Sequence, residues 1–446
     1  MKKEIRDGLL LRSLSEGVAS DAQNLGQFYV DVFTDEGADD GEIFLPWMDD
    51  FLGGNHPTVS LDDIWVVVDP SQNDRIVSAL LLIPQTWRYD HIEMKVGRVE
   101  IVATHTDYRR RGLIRELMTV AHERSASLGH IMQGITGIGH YYRRFGYAMA
   151  INLGSDAQLP IAMIPKLKPD QMTKYTLRLA VTSDIPNLVA WEAYEQRDGG
   201  LTLKRDASDW EFDINYRHPN SPPTPSIYII VDSDGHDVGF VTFKLDKYYQ
   251  AIYLWQYIVG DQSSYYDTFD DVLRAIKMIA DDFYATLPED KYPRMIYFEN
   301  GISSAVKTMI HKTDGRINHD RVYAWYVRVD DLPALIKHLA PVLEKRLEGS
   351  GMNRFTGELN IGLFDLNRIQ IVFEAGKIKD VLIVEITKVS SDTAFPYHTF
   401  LNILFGHRDW RELTHILPEV YANRKADMLL TALFPKMRTF LGSGVG

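Results

Sequence analysis

The sequence predicts a mixed α/β chain in three parts, and three observations carry that reading. Between Val99 and Tyr147 stand a β-branched run, a basic turn, an amphipathic stretch and a glycine-punctuated second run, in the order strand, turn, helix, strand. From Tyr175 the opening order of the chain is repeated, a strand followed by a helix and then several strands. From about Arg328 the texture changes to a long helical face, three alternating runs and closing helices. The divisions that follow are 1–157, a linker over 158–174, 175–327 and 328–446.

Residues 9–14 read as the first strand, and 21–33 place Leu25, Phe28, Tyr29 and Val32 on one helical face. The next segment reads as an acidic loop, with Asp35, Glu36, Asp39, Asp40 and Glu42 interleaved with Phe33, Phe44 and Trp47. Such a loop suits a polycationic ligand or a solvated surface equally. Residues 64–68 and 76–87 are strands joined at Asp69-Pro70-Ser71-Gln72-Asn73, a cluster of turn formers. They lead into the strand at 99–104.

After that strand comes Tyr108-Arg109-Arg110-Arg111-Gly112, then Leu113, Leu117 and Ala121 at helical spacing, with Ile114 and Met118 beside them. The first amides of a helix have no internal partners and point outward at the positive end of its dipole, which suits an anion. Gly112 lets backbone approach a ligand closely, and three arginines add charge suited to phosphate oxygens. Downstream stands Tyr141-Tyr142-Arg143-Arg144-Phe145-Gly146-Tyr147.

Residues 159–175 carry Pro160, Pro165 and Pro169 with Lys166, Lys168 and Lys174, a linker composition. The repeat that follows has Asp184 as a helix start and Ile185, Leu188, Val189, Trp191 and Glu192 behind it. Strands are expected at 226–231, 238–245, 252–259 and 295–298, with a helix at 269–285. The turn before that helix reads GDQSSYYDTFDD, with no arginine and an acidic start. Acids there suit a helix dipole without a ligand and repel a pyrophosphate. The second part is therefore expected to be a degenerate, non-catalytic repeat of the first with a structural role. In the third part, Leu332, Leu335, Ile336, Leu339, Leu343 and Leu347 give a long helical face. Alternating runs at 357–364, 369–374 and 378–387 follow, then helices near 397–405, 410–417 and 425–434.

Composition narrows the function. At 446 residues, with 45% hydrophobic and 24% charged residues, the chain is of ordinary globular make-up. The absence of cysteine excludes disulfides, thiolate metal sites and a cysteine nucleophile. No apolar run approaches the ~20 residues of a membrane helix, and no hydrophobic stretch follows Met1-Lys2-Lys3. The expected compartment is cytoplasmic, with no membrane partner. A net charge of −13 argues against nucleic acid and leaves a cationic partner open.

The strand–basic turn–helix unit resembles the acetyl-CoA site of the GCN5-related N-acetyltransferases, and YRRRGLIREL resembles the Eis (enhanced intracellular survival) branch of that superfamily. Tyr142, four residues before Gly146-Tyr147, matches the position of the family's tyrosine. Residues 328–446 resemble a sterol-carrier-protein-2-like domain, with TFLNILFGHRDWREL and LLTALFP as closing signatures of the Eis type. The resemblance implies tandem acetyltransferase-like domains plus that C-terminal α+β domain. It implies transfer of acetyl from acetyl-CoA, without a metal, to a primary amine of an aminoglycoside, a polyamine or a lysine, by direct attack. Tyr142 would protonate the leaving thiolate, which a phenol of pKa ~10 can do.

By position, Val102, Ala103 and Thr104 would pair with the pantetheine arm, while Arg110, Arg111, Gly112, Leu113, Ile114 and Arg115 would surround the pyrophosphate. Gly137 and Ile138 would lie near the acetyl end. The resemblance gives the base as a terminal carboxylate, here Gly446; Glu100, His105 and His140 compete for the role. Assembly as a hexamer is implied as well. The alternative is a carrier, with a hydrophobic ligand in the third part and a regulatory or inactive acetyltransferase unit.

Overall fold

The computed structural model describes residues 2–18, 20–35, 41–138, 140–246, 250–288, 291–299, 301–313, 315–317, 323–364, 367–385 and 387–442. Three sheets organise them, of ten, seven and five strands. The long hairpin of Arg75–Tyr89 and Ile92–Thr104 is the spine of the first. Its alternation sends Leu80, Leu82 and Val99 to one face, under the helix Leu113–Ser127. Leu81, Ile83, Ile101 and Ala103 go to the other, under the helix Asp21–Asp35.

The segment read as an acidic loop is in part a second helix on that face, Phe44–Leu52. Phe44, Trp47, Met48 and Phe51 recur at helical spacing and are all buried. Pro46 lies in the first turn, where its missing N–H costs nothing, and with the nearby acids it masks the pattern in the sequence. Glu36, Asp39 and Asp40, and the side chain of Asp35, lie outside the described residues; Glu42 is exposed.

Two strands cross between the sheets. Tyr323–Arg328 sits in the first sheet, between Met132–Ile135 and Ala148–Leu153 and antiparallel to both. In exchange, Ser155–Pro160 joins the second sheet beside Met295–Glu299. Residues 158–160 thus belong to a strand, Ile161 and Ile164 are buried in the second sheet's core, and Pro165 and Lys174 are tied to Arg274 and Asp271 of the helix Tyr265–Tyr284.

The third part packs helices on a five-stranded sheet whose first three strands, Gly357–Gly362, Asn367–Glu374 and Lys377–Glu385, form an antiparallel meander. Its long helical face is two helices, Leu332–His338 and Ala340–Glu348, divided at Leu339 with Pro341 in the first turn of the second. The tip of the long hairpin plugs into this domain. Trp87, Tyr89, Met94 and Val96 share one core with Leu335, Leu343 and Phe400, and Tyr89 donates to the Leu404 carbonyl at 2.8 Å. None of the described helices is long and apolar enough to cross a membrane.

Candidate active site

The strand Ile92–Thr104 pairs in parallel with Met132–Ile135 only through Val96–Met132, Gly97–Gln133 and Arg98–Gly134. Beyond Arg98 the two diverge, so the edge of residues 99–104 that faces away from Arg75–Tyr89 meets no strand among the described residues. A bulge lies at the apex. Leu81 pairs with Glu100 and Ala79 with Ala103, so Ile101 and Val102 together oppose Leu80. Ile101 has φ +46°, an unfavourable conformation for a β-branched residue, and the bulge turns backbone groups off the ladder. An extended ligand carrying amides can add here as a strand does.

At the open end of the cleft the helix Leu113–Ser127 begins at Gly112, whose φ of +82° places it in the left-handed region, as does Arg110 at +65°. Such a turn points successive amides to one side and makes a concavity for an anion. The amides of residues 110–114 donate to no backbone carbonyl among the described residues, and no side chain caps the helix. A Cβ built on Gly112 would meet nothing nearer than Arg6 Nη1, at 4.0 Å. The turn is open, and Arg6 adds a cation that no motif flags.

The predicted site residues occupy distinct places around this cleft. Arg110 and Arg115 are exposed, whereas Arg111 stacks on Tyr108 and donates to the Asp107 carbonyl at 2.9 Å, bracing the turn from behind. Leu113 is buried in the core and Ile114 packs against it. Val102 is half-buried on the unpaired stretch, and Ala103 is buried toward the helix Asp21–Asp35. Thr104 shares a hydrogen bond with Ser78, Oγ1 to Oγ, at 2.7 Å. Gly137, at φ +109°, and Ile138 are exposed just past the shorter strand. A Cβ on Gly137 would stand 3.6 Å from Tyr142 Cε2 and 3.9 Å from its hydroxyl. Tyr142 is buried against Tyr141, Tyr147 and Tyr326. Gly446 lies outside the described residues.

Among the competing bases, Glu100 sits at the bulge. Its Oε2 accepts from Arg98 Nε and Nη2 at 2.8 and 2.6 Å. Burial raises its pKa, and the guanidinium of Arg98 opposes that rise. Arg98 in turn lies over the Trp325 ring, 4.9 Å from its centroid. His105 is held in its own turn, Nε2 2.8 Å from Arg75 Nη2 and Nδ1 accepting from the Asp107 amide. His140 is exposed. Trp325 and Tyr326 both come from the inserted strand and lie far from the motifs in sequence.

A cavity of about 500 Å³ opens where Ile83, Pro84, Gln85 and Thr86 of the first sheet face Thr242, Trp255 and Gln256 of the second. Arg98, Phe212 and Trp255 line it, as do Phe440, Leu441 and Gly442. It meets the motif strand at Arg98 and stops short of Tyr142, so it lies beside the cleft rather than over it.

Residues 18–150 match the acetyltransferase (GNAT) domain family. No curated protein matches the chain. Among solved structures, a probable N-acyltransferase from Enterococcus faecalis V583 is similar at TM-score 0.63 and 11% identity, covering 97% of this chain and 99% of that one. A GCN5-related N-acetyltransferase from Anabaena variabilis ATCC 29413 aligns at TM-score 0.63 and 13% identity, over 97% and 99% of the two chains. Eis1 from Mycobacterium abscessus aligns at 0.58 and 14%, over 97% and 98%. At these identities the likeness is one of fold. The family match marks residues 18–150 as an acetyltransferase (GNAT) domain, and acetyl-CoA is the cosubstrate of that domain family.

Proposed function

We propose that the chain transfers acetyl from acetyl-CoA to a primary amine by direct attack, with the cleft between residues 99–104 and 135–138 as the site. The carrying observation is that the open, uncapped turn at Gly112 and the Tyr142 hydroxyl beside Gly137 each follow the C-terminal end of one of the two parallel strands that part beyond Arg98. Bound acetyl-CoA supplies the thioester. The amides of residues 110–114 and the guanidiniums of Arg110 and Arg115 hold its pyrophosphate. The free edge of Val102 to Thr104 orients the pantetheine arm, and a bulge amide polarises the acetyl carbonyl. As the amine nitrogen bonds to the carbonyl carbon and the carbon–sulfur bond breaks, Tyr142 gives its phenolic proton to the departing thiolate. The amine's proton passes to a carboxylate, either Glu100 through water or the one the Eis resemblance assigns to Gly446.

The acceptor, an aminoglycoside, a polyamine or a lysine side chain, enters through the cavity that meets Arg98. Burial of the hairpin tip within the third domain's core supports a scaffold role for that sterol-carrier-protein-2-like module rather than a carrier role. Assembly into hexamers follows from the Eis resemblance, and light scattering checks it. The test of the site is calorimetric titration of acetyl-CoA into wild type and Gly112→Asp. Saturable binding lost in the variant supports the reading. No binding to wild type at millimolar ligand overturns it.

A further inference from the structure

The second domain repeats the splay of the first. Its strand Ala251–Val259 pairs in parallel with Met295–Glu299 only as far as Leu254–Phe298, and a register shift against the strand Asp237–Asp246 marks a bulge at the same level. Gly301, at φ +86°, follows the shorter strand by two residues, as Gly137 does in the first domain. The anion site is missing. The helix Tyr265–Tyr284 is capped by Ser264, whose hydroxyl accepts from the Asp267 amide at 3.1 Å. That satisfies a donor which the first domain leaves open.

This second cleft is filled by the chain itself. Arg438 Nη2 lies 2.7 Å from Glu195 Oε1, with the two side chains 27% and 11% exposed. Arg438 Nε donates to the Gly301 carbonyl. The other Glu195 oxygen accepts from the Tyr265 hydroxyl at 3.1 Å, which ties the pair to the first turn of the capped helix. A Cβ on Gly301 would stand 2.5 Å from both Phe440 Cβ and the Thr439 carbonyl, so the incoming segment uses the room this glycine leaves. Thr439 and Phe440 also pair in parallel with Leu201 and Thr202, and that strand pairs in turn with Trp87 to Tyr89 of the long hairpin. The space that remains, bordered by Glu192, Trp255, Tyr257 and Arg438, is about 30 Å³, room for one or two waters. From this anchorage the chain continues directly as Phe440, Leu441 and Gly442 into the wall of the 500 Å³ cavity that reaches Arg98.

We infer that the cleft of the second domain is a docking slot for residues 438–442, and that Arg438 is a positioning residue which holds them as a wall of the acceptor cavity. The repeat that lost its anion site thereby sets acceptor binding in the first domain. The inference rests on the acetyltransferase reading for its link to the acceptor, and on geometry alone for the docking.

The test uses the full chain with Arg438→Ala, Arg438→Lys and Glu195→Gln. Steady-state kinetics are run with the best amine from a panel, beside hydrogen exchange of residues 438–442. Arg438→Ala is expected to raise the acceptor KM about tenfold while the acetyl-CoA KM stays within about twofold, with Arg438→Lys recovering most of the loss. Exchange at 439–442 should quicken in Arg438→Ala and Glu195→Gln, with the helix Leu113–Ser127 unchanged. Both KM values rising together would overturn the positioning role, as would an unchanged acceptor KM. Unaltered exchange would overturn the docking. A wild type that turns over no amine would sink the acetyltransferase reading and the acceptor link with it, while the exchange result would still decide the docking.

Discussion

Gly137 lies against Tyr142 so closely that a single added carbon on the glycine would stand 3.9 Å from the phenolic oxygen, at the place where the two motif strands part. Gly137→Ala would put a methyl group beside the proposed proton donor and would strain a backbone at φ +109°. The expected result is a fall in kcat of about tenfold or more with acetyl-CoA affinity changed by less than about threefold. CoA release and calorimetry on one preparation measure both. Unchanged kcat would remove Gly137 from the acetyl end.

Arg6 and Arg110 are cations beside the turn with the free amides. Replacing either by alanine should weaken acetyl-CoA binding about threefold to tenfold, as expected for a partly exposed charge facing a phosphate. The loss should shrink as salt rises from 0.05 to about 0.5 M. Arg111→Ala should act differently, since its guanidinium braces Tyr108 and Asp107. There, a lower melting temperature should accompany any loss of affinity.

Glu100 carries a pKa raised by burial and partly restored by Arg98. If it is the base, only its ionised form serves, so kcat/KM should climb as pH rises through that raised value and then level. Glu100→Gln should remove the acidic limb and lower the rate about a hundredfold. A variant that keeps the wild-type acidic limb would assign the base elsewhere.

Ser264 supplies a cap where Gly112 supplies none. Ser264→Ala should cost about 1 kcal/mol of stability and leave acetyl-CoA binding as it was. Altered binding in that variant would contradict the division of labour between the two helices.

His407 is buried beside Asn152, with Nδ1 2.5 Å from Oδ1, and burial lowers its pKa to about 4. The unfolded state therefore binds the extra proton first, as pH falls below ~6.5. Its contribution is complete above that value and is lost as pH drops toward 4, a difference of order 2–3 kcal/mol. Melting temperatures from pH 7 to 4 should fall less steeply in His407→Gln.

Local signals made Tyr142, Gly112 and the helix Leu113–Ser127 legible, because strand, turn and helix lie within a few residues of each other. The helix Phe44–Leu52 was hidden because Pro46, Asp49 and Asp50 gave its sequence the look of a loop. Tyr326 could not have been placed beside Tyr142 from sequence, since its strand pairs with Ile135 and Met149 across the whole second domain. The bulge at Ile101 is equally silent, since an isoleucine gives no warning of a positive φ.

The central claim is that this cleft acetylates amines with Tyr142 as the acid, and amine-dependent release of CoA by wild type and Tyr142→Phe tests it most directly. Turnover on at least one aminoglycoside, polyamine or lysine peptide, reduced about a hundredfold or more in the variant while acetyl-CoA still binds, is the predicted result. Full activity in Tyr142→Phe, or no amine turned over by a wild type saturated with acetyl-CoA, would contradict it.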